Sequence, residues 1–260
     1  MGRLVIENVQ VGYEQQTIVQ NLTIQIPNGK ITTIIGANGC GKSTLLKAMT
    51  RIIPYKKGSI LLDGEEIYLT NTKELAKKMA ILPQTQDSGA GLLVEELVSY
   101  GRFPYQKGFG QLTKEDREII NWALDVTNTA AFREKAVDEL SGGQRQRVWI
   151  AMALVQDTEI IFLDEPTTYL DLAHQLEILT LLQKLNETEK RTIVMVLHDL
   201  NHAARFSDFM VALSKGNLIC SGTPEEVMTE NVLKEVFNID AYIGVDPRTS
   251  KPICLTYDLI

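Results

Sequence analysis

The stretch Gly36-Ala37-Asn38-Gly39-Cys40-Gly41-Lys42-Ser43 constrains this chain more than any other. It matches the spacing GxxxxGK[ST] and lies between an apolar run, Ile31–Ile35, that reads as a strand and a segment with helical periodicity. Glycines at that spacing let successive backbone N–H groups turn inward, and the following helix adds its positive N-terminal end. The three parts together predict strand, phosphate-binding loop and helix in that order. Lys42 is placed to reach the β- and γ-phosphates of a nucleotide as a point charge, and Ser43 to ligate Mg²⁺. Thr44, on the first turn of the helix, belongs with the loop.

A second element narrows the chemistry. Ile160-Ile161-Phe162-Leu163-Asp164-Glu165 is an apolar run ending in two carboxylates. Asp164 is positioned to hold Mg²⁺ through water, and Glu165 to accept a proton from an attacking water. Standing alone, the same pair is also what a capped strand end looks like.

Strands alternate with amphipathic helices along the chain, which predicts an α/β sheet. Leu4–Val11 and Ile18–Ile26 alternate apolar and polar residues as half-buried antiparallel strands do. Asn28-Gly29 and Asp63-Gly64 are turn signals, the second following the strand Ser59–Leu62. Ile81–Leu82, Ile160–Leu163 and Thr192–Leu197 read as buried, two-sided strands. From Asp87 to Thr158 the texture is mostly helical, with segments near Val94–Tyr100, Lys114–Thr127 and Gly142–Val155. We therefore expect one domain, 1–260, with its core about 1–86 and 159–222, a helical subdomain about 87–158 and a loop-rich tail about 223–260.

Composition excludes several function classes. A net charge of −7 argues against a protein that lives on nucleic acid, whose affinity comes mainly from phosphate neutralisation. No apolar run approaches the roughly 18–20 residues that span a bilayer, and the N-terminus has no signal-like apolar region. Cys40, Cys220 and Cys254 form no CxxC pair, so reduced thiols are expected rather than a disulfide framework or thiolate zinc site.

Leu140-Ser141-Gly142-Gly143-Gln144, continuing Arg145-Gln146-Arg147, resembles the signature motif of ATP-binding-cassette (ABC) proteins, and the likeness extends over the whole chain in the expected motif order. In isolation LSGGQ reads more readily as an ordinary Ser cap before a helix. The resemblance implies a RecA-like P-loop NTPase core with an N-terminal antiparallel β subdomain and an inserted α-helical subdomain. It implies ATP and Mg²⁺ as cofactors and two copies of the chain facing head to tail. Each ATP then lies between one copy's residues 36–44 and the partner's Ser141, Gly142, Gly143 and Gln144. It also implies that Tyr13 stacks on adenine, where the plain alternative is a core aromatic. Gln84 would ligate Mg²⁺ beside Ser43 and Asp164, the alternative being a solvated loop amide. Asp171 would contact the opposite subunit, with Tyr169 standing where small residues are commoner. Glu165, Lys42 and His198 would be the catalytic set, His198 touching the γ-phosphate. His174 and His202 match no role and are assigned to surface or packing.

Glu95 through Pro104, the run EELVSYGRFP, is similar to a stretch of the iron-chelate and vitamin B12 importer class, as is the ending Thr223–Val227 through Val236–Asp240. Tyr100–Pro104 with Gln106–Gly110, and Arg147–Leu154, resemble hydroxamate-siderophore ATPases of Gram-positive bacteria. The partners so implied are membrane permease subunits and, indirectly, an extracellular substrate-binding lipoprotein, with the chain peripheral on the cytoplasmic face. ABC-type ATPases that act on DNA or ribosomes instead carry a coiled-coil split or two cassettes in one chain. Neither feature occurs here. Two local expectations follow. Cys40, beside Lys42 and inward N–H groups, should favour thiolate and react readily. Tyr105 should be exposed on the insertion, where a permease helix would dock.

Overall fold

Alternation in the first 26 residues produces a long antiparallel pair, β1 (Leu4–Tyr13) and β2 (Gln16–Ile26), closed by the two-residue turn Glu14-Gln15. The structure, a computed structural model, describes residues 3–84, 91–106 and 111–260. These residues fall into two compact units, 1–70 with 192–260, and 71–191. Elements are numbered along the chain.

In the first unit, one face of β1 and β2 buries Leu4, Ile6, Val9, Val11, Val19, Leu22, Ile24 and Ile26. Each such side chain contributes roughly 1.5–3 kcal/mol relative to exposure. A second strand system is built on β3 (Ile31–Gly36), buried on both faces. The loop after β3 feeds α1 (Lys42–Met49), whose Leu45, Leu46 and Met49 are buried. Next come β4 (Tyr55–Leu62), antiparallel to β1, and the short β5 (Glu65–Glu66). When the chain re-enters this unit, β8 (Thr192–Val196) and β9 (Phe209–Ser214) flank β3, both parallel to it, and α7 (Leu200–Phe206) joins them. β10 (Asn217–Gly222) then turns back antiparallel on β9.

The tail differs from the expected loops. After α8 (Pro224–Val227) and α9 (Glu230–Phe237), residues 239–259 form a hairpin, β11 (Ile239–Val245) with β12 (Pro252–Leu259). Gly244, Pro252 and scattered acids hide it in the sequence, because these strands pair only with each other and few of their side chains are buried. The hairpin is fastened to α7. Asn201 exchanges two hydrogen bonds with the Cys254 backbone (2.8 and 3.1 Å), and the Lys251 ammonium donates to the carbonyls of Arg205 and Ser207. Burial pushes the Lys251 ammonium below its ordinary value.

The second unit holds α2 (Thr72–Lys78), β6 (Met79–Leu82), α3 (Val94–Ser99), α4 (Lys114–Val126), α5 (Gly142–Leu154), β7 (Ile160–Asp164) and α6 (Leu172–Glu189). A 3-10 turn, Tyr100–Tyr105, follows α3 directly. Helix α6 has no counterpart among the expected segments. Asp171 caps its start with a side-chain oxygen that accepts from the His174 N–H at 2.9 Å. Asp87, the expected start of the insertion, and Lys107–Gly110 of the siderophore-type stretch lie outside the described residues.

The helical segments are pinned by a buried ion pair. Arg102 Nε lies 2.7 Å from Asp116 Oδ1, and its Nη1 donates to the Val155 carbonyl at 2.8 Å. The Thr113 N–H and hydroxyl supply Asp116 Oδ2, both at 2.8 Å. Tyr105 covers this pair and is only part-exposed. Its ring centroid is 3.9 Å from the Arg102 guanidinium carbon, and its hydroxyl donates to the Gln156 carbonyl at 2.9 Å. The expectation of an exposed Tyr105 is thus corrected, since a cation–π contact and a hydrogen bond together draw the ring inward. Phe103 and Tyr100, 74% and 56% exposed, are the aromatics that this segment presents.

Candidate nucleotide site

In the first unit the site grows from strand register. Ile34 of β3 pairs with Val196 of β8, so the loop from Gly36 and the segment from Leu197 to His198 leave parallel strands at the same end. Ligands of open α/β sheets bind at that end. The turn needs glycine at the start of α1. Gly41 sits at φ 109°, where side-chain-bearing residues are strained, and its N-terminal position leaves backbone N–H groups without helical partners. Lys42 is buried, and its Nζ donates to the carbonyls of Gly36 (2.8 Å) and Ala37 (3.1 Å), so the ammonium is held inside the curve of the loop. The Cys40 N–H returns to the Ala37 carbonyl at 3.2 Å, and the Cys40 carbonyl accepts from Gly216 at 3.0 Å.

The expectation for Cys40 is corrected. Its side chain is 5% exposed and tucked against Gly36, where an added Cβ would meet the sulfur at 2.6 Å. Burial pushes the thiol up, and the opposing pull of Lys42 does not offset it. Alkylation by a maleimide at pH 7 should therefore be slow and should quicken as pH rises, which intact-mass spectrometry over time would follow.

Tyr13 ends β1 with 49% exposure, so it is not a core aromatic. His198 is exposed. Asp199, next to it, caps α7 by accepting from the His202 N–H at 2.7 Å. His202 itself is buried with its ring edge-on to Phe206, a packing role.

The same register logic operates in the second unit. Leu82 of β6 pairs in parallel with Leu163 of β7, so Gln84 and Glu165 emerge together. Gln84 Nε2 donates to Glu165 Oε2 at 2.7 Å, and the Thr168 hydroxyl donates to the same oxygen at 3.1 Å. Asp164 is 1% exposed at the strand end. Glu165 lies at φ 55°, a left-handed conformation that costs a non-glycine residue on the order of 1 kcal/mol or more. Sequence reading misses Thr168 as a partner of Glu165, although hydroxyl and carboxylate at i, i+3 in a turn are a usable signal.

Ser141 is both an ordinary cap and the opening of the signature motif. Its hydroxyl accepts from the Gln144 N–H (3.4 Å), and Gln144 Oε1 accepts from the Ser141 N–H (3.1 Å), a reciprocal box that starts α5. Ser141 and Gly142 are exposed, with no atom within 4 Å of where a Gly142 Cβ would stand, while Gly143 is buried. Asp171 is exposed, and hydrogen bonds from the His174 backbone and ring hold its carboxyl below the usual range. Tyr169, 97% exposed at φ 64°, projects from the same loop with Leu172, 65% exposed.

A family profile described as ABC transporter matches residues 19–168. The chain belongs to the ABC transporter family. It is 62% identical to the iron(3+)-hydroxamate import ATP-binding protein FhuC of Bacillus subtilis (strain 168), over 100% of this chain and 97% of that protein. Among solved structures it resembles an ABC transporter assigned to the metal-chelate type in an inward-facing conformation, with TM-score 0.84, 27% identity and 98% of both chains covered. It also resembles the dimeric ATP-binding cassette MJ0796 bound to ADP and phosphate, with TM-score 0.75, 29% identity, and 85% of this chain and 98% of that one covered. The fold is thus that of an ABC ATPase, a P-loop NTPase with an antiparallel β subdomain and a helical part. No helix among the described residues is long and apolar enough to cross a membrane.

Proposed function

We propose that this chain is the ATP-hydrolysing subunit of a bacterial importer for an iron chelate, of the ferric hydroxamate siderophore class. The observation that carries the cargo class is the end-to-end likeness to the hydroxamate import protein. In this reading the chain is one cassette with a helical insertion, peripheral on the cytoplasmic face. It works as a head-to-tail homodimer on permease subunits fed by a substrate-binding lipoprotein, and it does not act on nucleic acid. Exposed Tyr169 and Leu172 beside Asp171 are the large apolar side chains that a dimer contact would cover.

Residues 36–44 grip the triphosphate through backbone N–H groups, with Lys42 leaving its loop carbonyls for the β- and γ-phosphates. Tyr13 offers a half-exposed ring to adenine. The Ser43 hydroxyl, the Gln84 amide oxygen and the Asp164 carboxylate are hard oxygen donors of the kind that suits Mg²⁺. That ion would neutralise charge developing on the β- and γ-phosphate oxygens. Glu165 takes a proton as a water oxygen bonds to the γ-phosphorus and the bond to the β-phosphate oxygen breaks, giving ADP and phosphate. His198 hydrogen-bonds the γ-phosphate, and the partner copy's signature residues close the site.

Coupling to the permease is tested at Phe103. Phe103→Ala should retain most ATPase activity of the isolated protein yet restore siderophore-dependent iron uptake poorly to a strain lacking the gene. Equal loss of both activities would count against a docking role, and undiminished uptake in the gene-deleted strain itself would overturn the cargo.

A further inference from the structure

The second glycine of the signature motif has an unexpected neighbour. Gly143 is the second residue of α5, with φ outside the left-handed region, so no backbone requirement selects glycine there, and alanine is the better helix former. What selects it is space. An added Cβ would stand 2.5 Å from His174 Cδ2, 3.0 Å from Cγ and 3.2 Å from Nε2. The imidazole of His174 fills the place that a side chain at position 143 would take.

The other edge of that ring is also engaged. His174 Nδ1 lies 2.8 Å from Asp171 Oδ1, the same oxygen that accepts the His174 backbone N–H at 2.9 Å. Because a carboxylate only accepts, Nδ1 carries the proton. The loop bearing Asp171 is itself braced, with Gln175 Nε2 on the Leu170 carbonyl at 2.9 Å and the Thr168 hydroxyl on Glu165 at 3.1 Å.

We propose that His174 is a positioning residue, a clamp whose ring joins Asp171 on one side to the signature turn at Gly143 on the other. The clamp rests on the cassette reading above and deepens it: the two segments offered to the partner subunit are held as one surface by a residue that touches no nucleotide. Sequence alone assigns His174 to surface or packing. Its 42% side-chain exposure conceals that both ring edges are used.

The first test needs no dimer. Amide hydrogen exchange of residues 141–144 in the isolated subunit should quicken severalfold in His174→Ala, with melting temperature and mant-ATP binding near wild type. His174→Asn, whose amide nitrogen stands close to where Nδ1 stands, should recover protection of the 171–174 turn. The second test is suppression. Gly143→Ala alone should lower kcat roughly tenfold to a hundredfold, the scale of misplacement by about an ångström, with little change in KM. Gly143→Ala combined with His174→Ala, which removes Cγ and Cδ2 from beside the new methyl, should be more active than Gly143→Ala alone, a reversal that general damage to the fold does not produce. Unchanged exchange at 141–144 in His174→Ala would overturn the clamp, as would a double variant no better than Gly143→Ala. Failure of the cassette reading would show separately, as absence of ATPase turnover in the wild-type protein.

Discussion

Glu165→Gln should slow ATP hydrolysis about a hundredfold or more while leaving nucleotide affinity within a few-fold of wild type. The substitution keeps side-chain volume and the left-handed turn at the end of β7 but removes the carboxylate proposed as proton acceptor. Gln84 and Thr168 still find an oxygen at the same place, so the loop should hold its shape. Blocked turnover should then accumulate an ATP-bound dimer, visible by size-exclusion chromatography with Mg-ATP. Steady-state phosphate release measures the rate. Near-wild-type release would remove Glu165 from the catalytic set and leave its strained backbone unexplained.

Arg102→Ala should have the largest effect on stability. Removing one partner of a buried ion pair leaves the other charge uncompensated, which costs about 3–5 kcal/mol. For a chain of this size that is a fall in melting temperature on the order of 10 °C. The loss extends past the pair, because Tyr105 loses the surface it stacks on and the Val155 carbonyl loses its donor. Burial pushes the Asp116 carboxyl up, but the Thr113 N–H, Arg102 and the Thr113 hydroxyl outweigh it and hold it low. A depressed folded value contributes stability above the ordinary carboxylate range and loses it as pH falls through the folded value. In Arg102→Ala the burial is less offset, so Asp116 protonates more easily and the deficit against wild type should shrink toward acid pH. Thermal melts at several pH values would check both claims, and a deficit that grows toward acid pH would contradict the second.

Some of this was legible because local chemistry leaves little choice. Gly41 before Lys42 announces a left-handed residue at a helix start, and Ser141 with Gln144 announces a capping box. Apolar runs such as Ile160–Leu163 reveal buried parallel strands without saying what they pair with. What stayed hidden depends on residues far apart in sequence. Nothing near Tyr105 shows that Arg102 will be buried against Asp116. The left-handed turn at Glu165 is equally silent, since Glu-Pro-Thr-Thr carries no glycine to mark it. His174 is underrated for the same reason. Its partner Asp171 is three residues away, but Gly143 comes from another helix.

The fastening of the hairpin β11–β12 to α7 has a genetic consequence. Helix α7 is splinted by Asn201 to Cys254 and by Lys251 to the carbonyls of Arg205 and Ser207. A nonsense allele at Ile239 would leave the segments from Gly36 through His198 intact in the translated product and still withdraw that splint. Inherited in a population, such an allele would look harmless to anyone scoring motifs, and its cost would fall on α7.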